Sequence, residues 1–497
     1  MLSVAALALG GGRVQAAQAP KVDAYVSPGL LAKAEENPAA LFDVIVQARE
    51  NGKSSDVAAE IADVRKSDPA SGTKLKRQFV SIAGTSATPS GRQLLKLAKR
   101  GWVESVVEDA RTGATYSNSQ KWVGATEELE SATNPWTASY SYPAIAIVDS
   151  GVQPRTDFGK RLKAQVSFVS TGNSSGDGFG HGTMVAALAA GSAESYTGFA
   201  PKANIVSLDV LNDLGVGSMG DAIAACDWIL ANKAQDNIRV ANFSVNAGSG
   251  ASILFDPLDR AVEKLWLNGV VVVASAGNYA VNGAPSGVRY SPANDPFVIT
   301  VGASDLRNTT DNEDDFAAPW SAWGYTYDGF FKPEIAAPGR VLTSAVPSTS
   351  TLALLFPSRK VGADYMWMSG TSFAAPIVSG AAAWFLAKYP SWTPDQVKGA
   401  LMLDADVPTG YSSFGALGVG VLDADGWVGT SSPPNPNAAL NQFVTTDSAT
   451  GLKVFDVASW SSVASANASW SSTSWSSASW SSASWADASW ANNDWAE

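Results

Sequence analysis

Apolar and polar positions divide the chain into stretches of different rhythm. From residue 142 onward, short continuous apolar runs alternate with longer segments of helical spacing. Residues 144–148 (AIAIV) are apolar throughout, as in a parallel strand buried on both faces. Similar runs at 205–210, 239–243, 270–274 and 298–301 predict further strands, and the spacing predicts helices at 218–232 and 257–267 between them. A long apolar run, 377–386, follows Gly370-Thr371-Ser372-Phe373-Ala374-Ala375-Pro376 and predicts a buried helix. Thr393-Pro394-Asp395-Gln396 has a capping threonine, a proline at the first helical position and a glutamine that closes a capping box. This alternation predicts an α/β domain over 142–430, a doubly wound, mainly parallel sheet with right-handed crossovers.

The flanks have other rhythms. Between residues 20 and 111, strands are expected at 41–46, 75–82 and 102–107 and helices at 57–64 and 91–99. That order suits a small α+β unit of the ferredoxin-like β-α-β-β-α-β kind. Residues 112–141 are polar and read as a linker open to processing. Residues 1–19 have an apolar core followed by Ala17-Gln18-Ala19, which reads as a secretory signal lacking its basic start, with cleavage after Ala19. Beyond 430 comes a Pro/Asn/Ser linker, 431–437, and then tryptophans at 460, 470, 475, 480, 485, 490 and 495. A five-residue period fits neither a strand nor one helix face, so 431–497 reads as a low-complexity tail. Its indole rings suit stacking on glycans, a membrane interface or packing between chains, and equally a neutral spacer.

Composition narrows the function. A chain that is 45% hydrophobic and 16% charged is globular. Its net charge of −12, with no strongly basic stretch, argues against a nucleic-acid partner. One cysteine, Cys226, allows no internal disulfide and reads as a buried packing residue. The single histidine, His181, leaves too few ligands for a conventional zinc site. Any imidazole general base here has to be His181.

Three polar residues lie at the ends of predicted buried elements. Asp149 follows a strand, and His181 and Ser372 each open a helix. A serine at a helix start lies beside free N–H groups and the positive end of the dipole, where an oxyanion is stabilised; its plain alternative is an ordinary N-cap. The glycine-rich GDGFGHG around His181 is not a phosphate loop, because no lysine follows and the dinucleotide spacing is absent.

The segments VDSGV (148–152), GHGTMVA (180–186), SAGN (275–278) and GTSFAAP (370–376) together resemble the motifs of the subtilisin-like serine proteases. The resemblance covers residues 142 to about 425, and the segment around 40–110, ending in VESVVED, is similar to the family's inhibitory propeptide. It implies that Ser372 attacks the scissile carbonyl, His181 carries the proton, and Asp149 orients the imidazole. It also implies that Asn278 and the Ser372 N–H bind the oxyanion. Substrate would add as a strand between Leu214-Gly215-Val216-Gly217 and Phe243-Ser244-Val245-Asn246. Ala274, Ser275, Ala276 and Gly277 would wall the first specificity pocket.

The departures from the family pattern are specific. Val245, Asn246 and Ala247 stand where the family often has a leucine and glycines. Phe373 replaces a frequent methionine, and Ile377 a frequent histidine. Residues 191–197 are too short for the familiar calcium loop; Asp157 and the acidic run 311–315 are the remaining calcium candidates, with a solvated charge run as the plainer reading. No cofactor is required. The expectation is a secreted, self-processing serine endopeptidase, cut between about Arg111 and Glu130, that acts on polypeptides and is held by its own propeptide, with envelope or glycan contact through the tail. The alternative is a catalytically silent surface scaffold or adhesin that uses the tryptophan repeat.

Overall fold

The computed structural model describes residues 24–466 except 50–51, 67–71, 115–139, 170–171, 173–175, 249, 308–311, 412–414, 424–430 and 449. The proposed signal and the tryptophans from 470 on lie outside the described residues.

The N-terminal unit runs β1 (Tyr25–Val26), α1 (Pro28–Glu36), β2 (Val44–Ala48), α2 (Ser54–Lys66), β3 (Lys74–Gln78), β4 (Gly84–Thr88), α3 (Gly91–Leu97) and β5 (Val103–Glu108). Its sheet has the order β1-β5-β2-β4-β3. Alternation along β2 explains its position between two layers. Val44 and Val46 pack with Val57, Ile61, Leu94 and Val106 in the unit's own core. Ile45 faces the other way and joins the core of the large domain. The strand expected at 75–82 stops at Gln78, and β4, with its weakly apolar Gly-Thr-Ser-Ala-Thr sequence, is an additional strand. β1 and α1 are likewise additions to the sequence reading.

In the large domain, the strands β7 (Ala144–Asp149), β8 (Leu162–Ser167), β9 (Asn204–Asp209), β11 (Ile238–Phe243), β13 (Val271–Ser275) and β14 (Ile299–Asp305) form one sheet. It is ordered β14-β13-β11-β7-β9-β8, and these strands are all parallel. β15 (Ile335–Pro338) adds in parallel to β14, and Phe316–Ala317 pairs antiparallel with it. The chain leaves β7 toward β8 and β9 on one side and later continues to β11 on the other. The carboxyl end of β7 is therefore the switch point, where sites form in open α/β sheets. The crossover helices include α4 (His181–Ala190), α5 (Met219–Asn232) and α6 (Pro257–Leu267). α7 (Thr371–Lys388) crosses beneath the sheet with only its last residue outside the core.

Two parts of the sequence reading need correction. Residues 112–114 are not linker: β6 (Arg111–Ala114) is a strand, paired on one side with β10 (Val216–Ser218) and on the other with β12 (Val245–Ala247). Residues 431–466 are not low-complexity tail either. They form a segment with a hairpin, β16 (Val444–Thr446) and β17 (Lys453–Phe455), and a helix, α9 (Val457–Ala466). Trp460 is 5% exposed and stacks on Phe330 with ring centroids 5.6 Å apart. Asn437 is also buried. Its Oδ1 accepts from Lys398 Nζ of α8 (Pro394–Leu403), whose Thr393/Gln396 capping box forms as expected.

The N-terminal unit rests on α5 and α6. Asp227 of α5 accepts from the Val80 and Ser81 backbone N–H groups. Arg260 of α6 holds Glu104 through two bonds of 2.9 and 3.0 Å. Gln47 donates to the Phe255 carbonyl, and Tyr25 stacks on the Phe255 ring. Asp109 accepts from Gly220 N–H, so the unit also caps the start of α5.

Candidate active site

The end of β7 places Asp149 in the core with no exposure. Its Oδ1 and Oδ2 lie 2.8 and 3.0 Å from His181 Nδ1, and Oδ1 also accepts from Ser150 N–H. The other ring nitrogen, Nε2, is 2.9 Å from Ser372 Oγ. The three residues, expected from three distant segments, form one hydrogen-bonded line. A carboxylate on Nδ1 fixes the tautomer that leaves Nε2 free to take a hydroxyl proton.

Local sequence explains how α4 comes so close to β7. A Cβ on Gly182 would lie 2.1 Å from the Gly151 carbonyl oxygen and 3.2 Å from Asp149 Cβ. Only glycine permits that approach. The turn before His181 is organised by Asp177, a residue the sequence reading did not single out. Its carboxylate accepts from Gly180 N–H, Ser150 Oγ, Thr183 N–H and Thr183 Oγ1. Burial pushes its carboxyl up to about 7, and these four donated bonds pull the other way. The Phe373 ring lies against the imidazole, with centroids 5.1 Å apart.

Pro376 shapes the surroundings of Ser372. A proline has no N–H, so the Ser372 carbonyl, four residues earlier, loses its helical donor. Ser244 Oγ supplies the replacement at 2.8 Å. Ser244 in turn accepts from Asn242 Nδ2, and Asn242 Oδ1 accepts from Ser379. The Ser244 side chain therefore braces Ser372 from the core side.

Asn278 has one amide end fixed. Its Oδ1 accepts from Thr371 N–H at 2.9 Å and from Thr371 Oγ1 at 3.1 Å, while Gly277 N–H donates to Thr371 Oγ1. Because a backbone N–H can only donate, the bonded atom is the oxygen and the free end is the NH₂. That Nδ2 is buried without a hydrogen-bond partner. An unpaired donor held beside the residue preceding Ser372 is suited to an oxygen that becomes negative during reaction. Thr371 was not identified from sequence; its only signal there was adjacency to Ser372.

The proposed substrate strands flank a cleft that holds β6. Val216, Gly217 and Ser218 pair antiparallel with Gly113, Thr112 and Arg111. Val245, Asn246 and Ala247 pair with Ala114, Gly113 and Thr112. Gly215 makes the turn before β10 with φ +74°. Ala274, Ser275, Ala276 and Gly277 are buried at the end of β13 and lead into Asn278. Since Ser244 Oγ donates to the Ser372 carbonyl, the register runs the carboxyl end of β6 toward Ser372.

Among the described residues no group of three or more His, Cys, Asp or Glu is placed to hold a metal ion. Asp157, a calcium candidate, pairs with Arg155 at 2.9 Å, and part of the 311–315 run lies outside the described residues. Cys226 is buried, and burial pushes its thiol well above the ordinary range.

Residues 141–428 match the model of the Subtilase family. Serine protease AprX of Bacillus subtilis strain 168 is 35% identical over 346 residues, which is 67% of this chain and 76% of that one. Subtilisin E of the same organism is 30% identical over 364 residues, 72% of this chain and 82% of that one. Fervidolysin from Fervidobacterium pennivorans, described as a keratinolytic enzyme related to subtilisin, superposes with a TM-score of 0.58 at 20% identity. That match covers 79% of this chain and 62% of the other and carries the fold alone.

Proposed function

Because this chain belongs to the subtilase family of serine peptidases, we propose that it is a secreted endopeptidase made as a self-processing zymogen. The observation that carries this reading is the buried line Asp149–His181–Ser372, with bonds of 2.8 and 2.9 Å. Ser372 Oγ attacks the peptide carbonyl as His181 Nε2 takes its proton. His181 then returns the proton to the leaving amine, and the acyl-enzyme is hydrolysed by water through the same relay. Asp149 stabilises the imidazolium. Asn278 Nδ2 and the Ser372 N–H take the negative oxygen.

Residues 24–114 serve as the inhibitory propeptide. The support is β6, which fills the cleft as a third strand and offers main-chain bonds to both flanks as a substrate would. Cleavage then falls beyond Ala114, within 115–130, and residues 1–19 direct export. A serine-directed fluorophosphonate tests the chemistry. Secreted wild type should incorporate one label on Ser372, and Ser372→Ala should take none; an unlabelled wild type would remove the catalytic reading.

A further inference from the structure

We propose that Asn246 sets the side-chain preference at the residue preceding the cleaved bond and restricts it to small side chains. The inference rests on the proteolytic reading of the cleft. In an antiparallel pair, directly opposite residues place their side chains on the same face, and so do residues two apart on one strand. Asn246 is opposite Gly113, and Val245 is opposite Ala114. The substrate position after the one opposite Val245 faces Ser244, whose hydroxyl holds the Ser372 carbonyl. That position is beside the nucleophile, and its side chain shares a face with Asn246.

This face is already bridged. Asn246 Nδ2 donates to the Ser275 carbonyl at 3.3 Å, so a single side chain spans from the cleft strand to the wall that leads to Asn278. The wall is held in place behind Gly277. A Cβ there would lie 2.4 Å from Tyr279 Cε1. The Tyr279 ring is fixed by Arg289 N–H donating to its hydroxyl at 3.0 Å and by Tyr290 edge-on at 5.3 Å. Val245 and Ala247, on the opposite face, are buried. A bulky substrate side chain entering beside Ser372 must displace Asn246 and break its bond to Ser275, whereas an alanine side chain need not.

The test uses mature wild type, Asn246→Gly and Asn246→Ser on peptide anilides that differ only in the last residue, Ala, Leu or Phe. Wild type should favour Ala over Phe in kcat/KM by about tenfold or more, and both variants should lower that ratio about tenfold by gaining on Phe. A wild type that prefers Phe, or variants with the wild-type ratio, would overturn the assignment while leaving the protease intact. Failure of wild type to cut any of the peptides or to take the fluorophosphonate would instead remove the proteolytic reading, and this inference with it.

Discussion

Thr371 holds Asn278 by two bonds to one oxygen, from its backbone N–H and from its hydroxyl, and so leaves the amide NH₂ as the free, buried end. In the proposed mechanism, the residue beside Ser372 thus aims the donor that would receive the oxyanion. Asn278→Ala should lower kcat by roughly 10²–10³ with little change in KM, the size of effect measured in a subtilisin for loss of one such donor. Thr371→Val keeps the backbone bond and removes the hydroxyl, so its loss should be smaller and again confined to kcat. Steady-state kinetics on one peptide separate the two; a KM effect without a kcat effect would assign Asn278 to ground-state binding.

The Asp177 carboxylate gives a pH signature. Its folded value, raised to about 7 by burial, exceeds the ordinary carboxylate value of about 4. Between these limits the folded state binds more protons than the unfolded state. This group's contribution to stability is therefore fully present below about pH 4 and is lost as pH rises toward 7. Asp177→Asn removes that slope, so the wild-type Tm minus the variant Tm should fall across this window. The variant also turns two accepting lone pairs into donors that face N–H and O–H groups, and it should be destabilised by about 1–3 kcal/mol or more. A Tm difference that rises with pH would contradict the assignment.

Lys398 ties the C-terminal segment to the peptidase core. Its ammonium donates to the carbonyls of Pro296, Phe297 and Val298, to Glu334 Oε1 and to Asn437 Oδ1, at 2.9–3.3 Å. Burial raises the Glu334 carboxyl, and the Lys332 and Lys398 ammonium groups more than offset this and leave it below its ordinary value. Lys398→Met leaves Glu334 with Lys332 as its one ammonium partner and takes the donor from the Pro296 carbonyl and Asn437 Oδ1, and should cost about 3 kcal/mol. Trp460→Ala should cost a similar amount through the cavity it leaves. Truncation after 466 keeps both contacts and should leave Tm near wild type, whereas truncation after 430 should lower it strongly. Equal Tm values for the two truncations, by calorimetry, would show that 431–466 is dispensable.

Inhibition in trans tests the interface with the N-terminal unit. Asp227→Ala removes the acceptor for two backbone donors, and Glu104→Ala breaks the paired bonds to Arg260. With the separately added 24–114 segment, each change should weaken inhibition of mature enzyme by about tenfold, or 1.4 kcal/mol. Arg260→Ala combined with Glu104→Ala should be less than additive. Unchanged inhibition constants would detach these contacts from the proposed inhibitory role.

Sequence legibility followed burial. α6 was read to the residue from its spacing, and the structure adds an Asp256 cap and Pro257 at the first helical position that mark the same start. The strands around Asp149 were legible because strands buried on both faces are apolar throughout. β6 was not, since Arg-Thr-Gly-Ala has no apolar rhythm and becomes a strand only through partners more than a hundred residues away. Trp460 was read with the repeat because its surroundings, Ala-Ser-Trp-Ser-Ser, recur downstream. What distinguishes it is the aromatic pocket of Phe330 and Phe455, brought together by the fold. Asp149, His181 and Ser372 were legible as motifs; the bracing by Asp177, Ser244 and Thr371 depends on distances that no spacing along the chain encodes.

The most direct measurement is intact mass with N-terminal sequencing of secreted wild type and Ser372→Ala, expressed side by side. Wild type should start beyond Ala114, within 115–130, and the variant should still carry the upstream unit. Chains with the same start in both, whether cut or uncut, would contradict self-processing by Ser372.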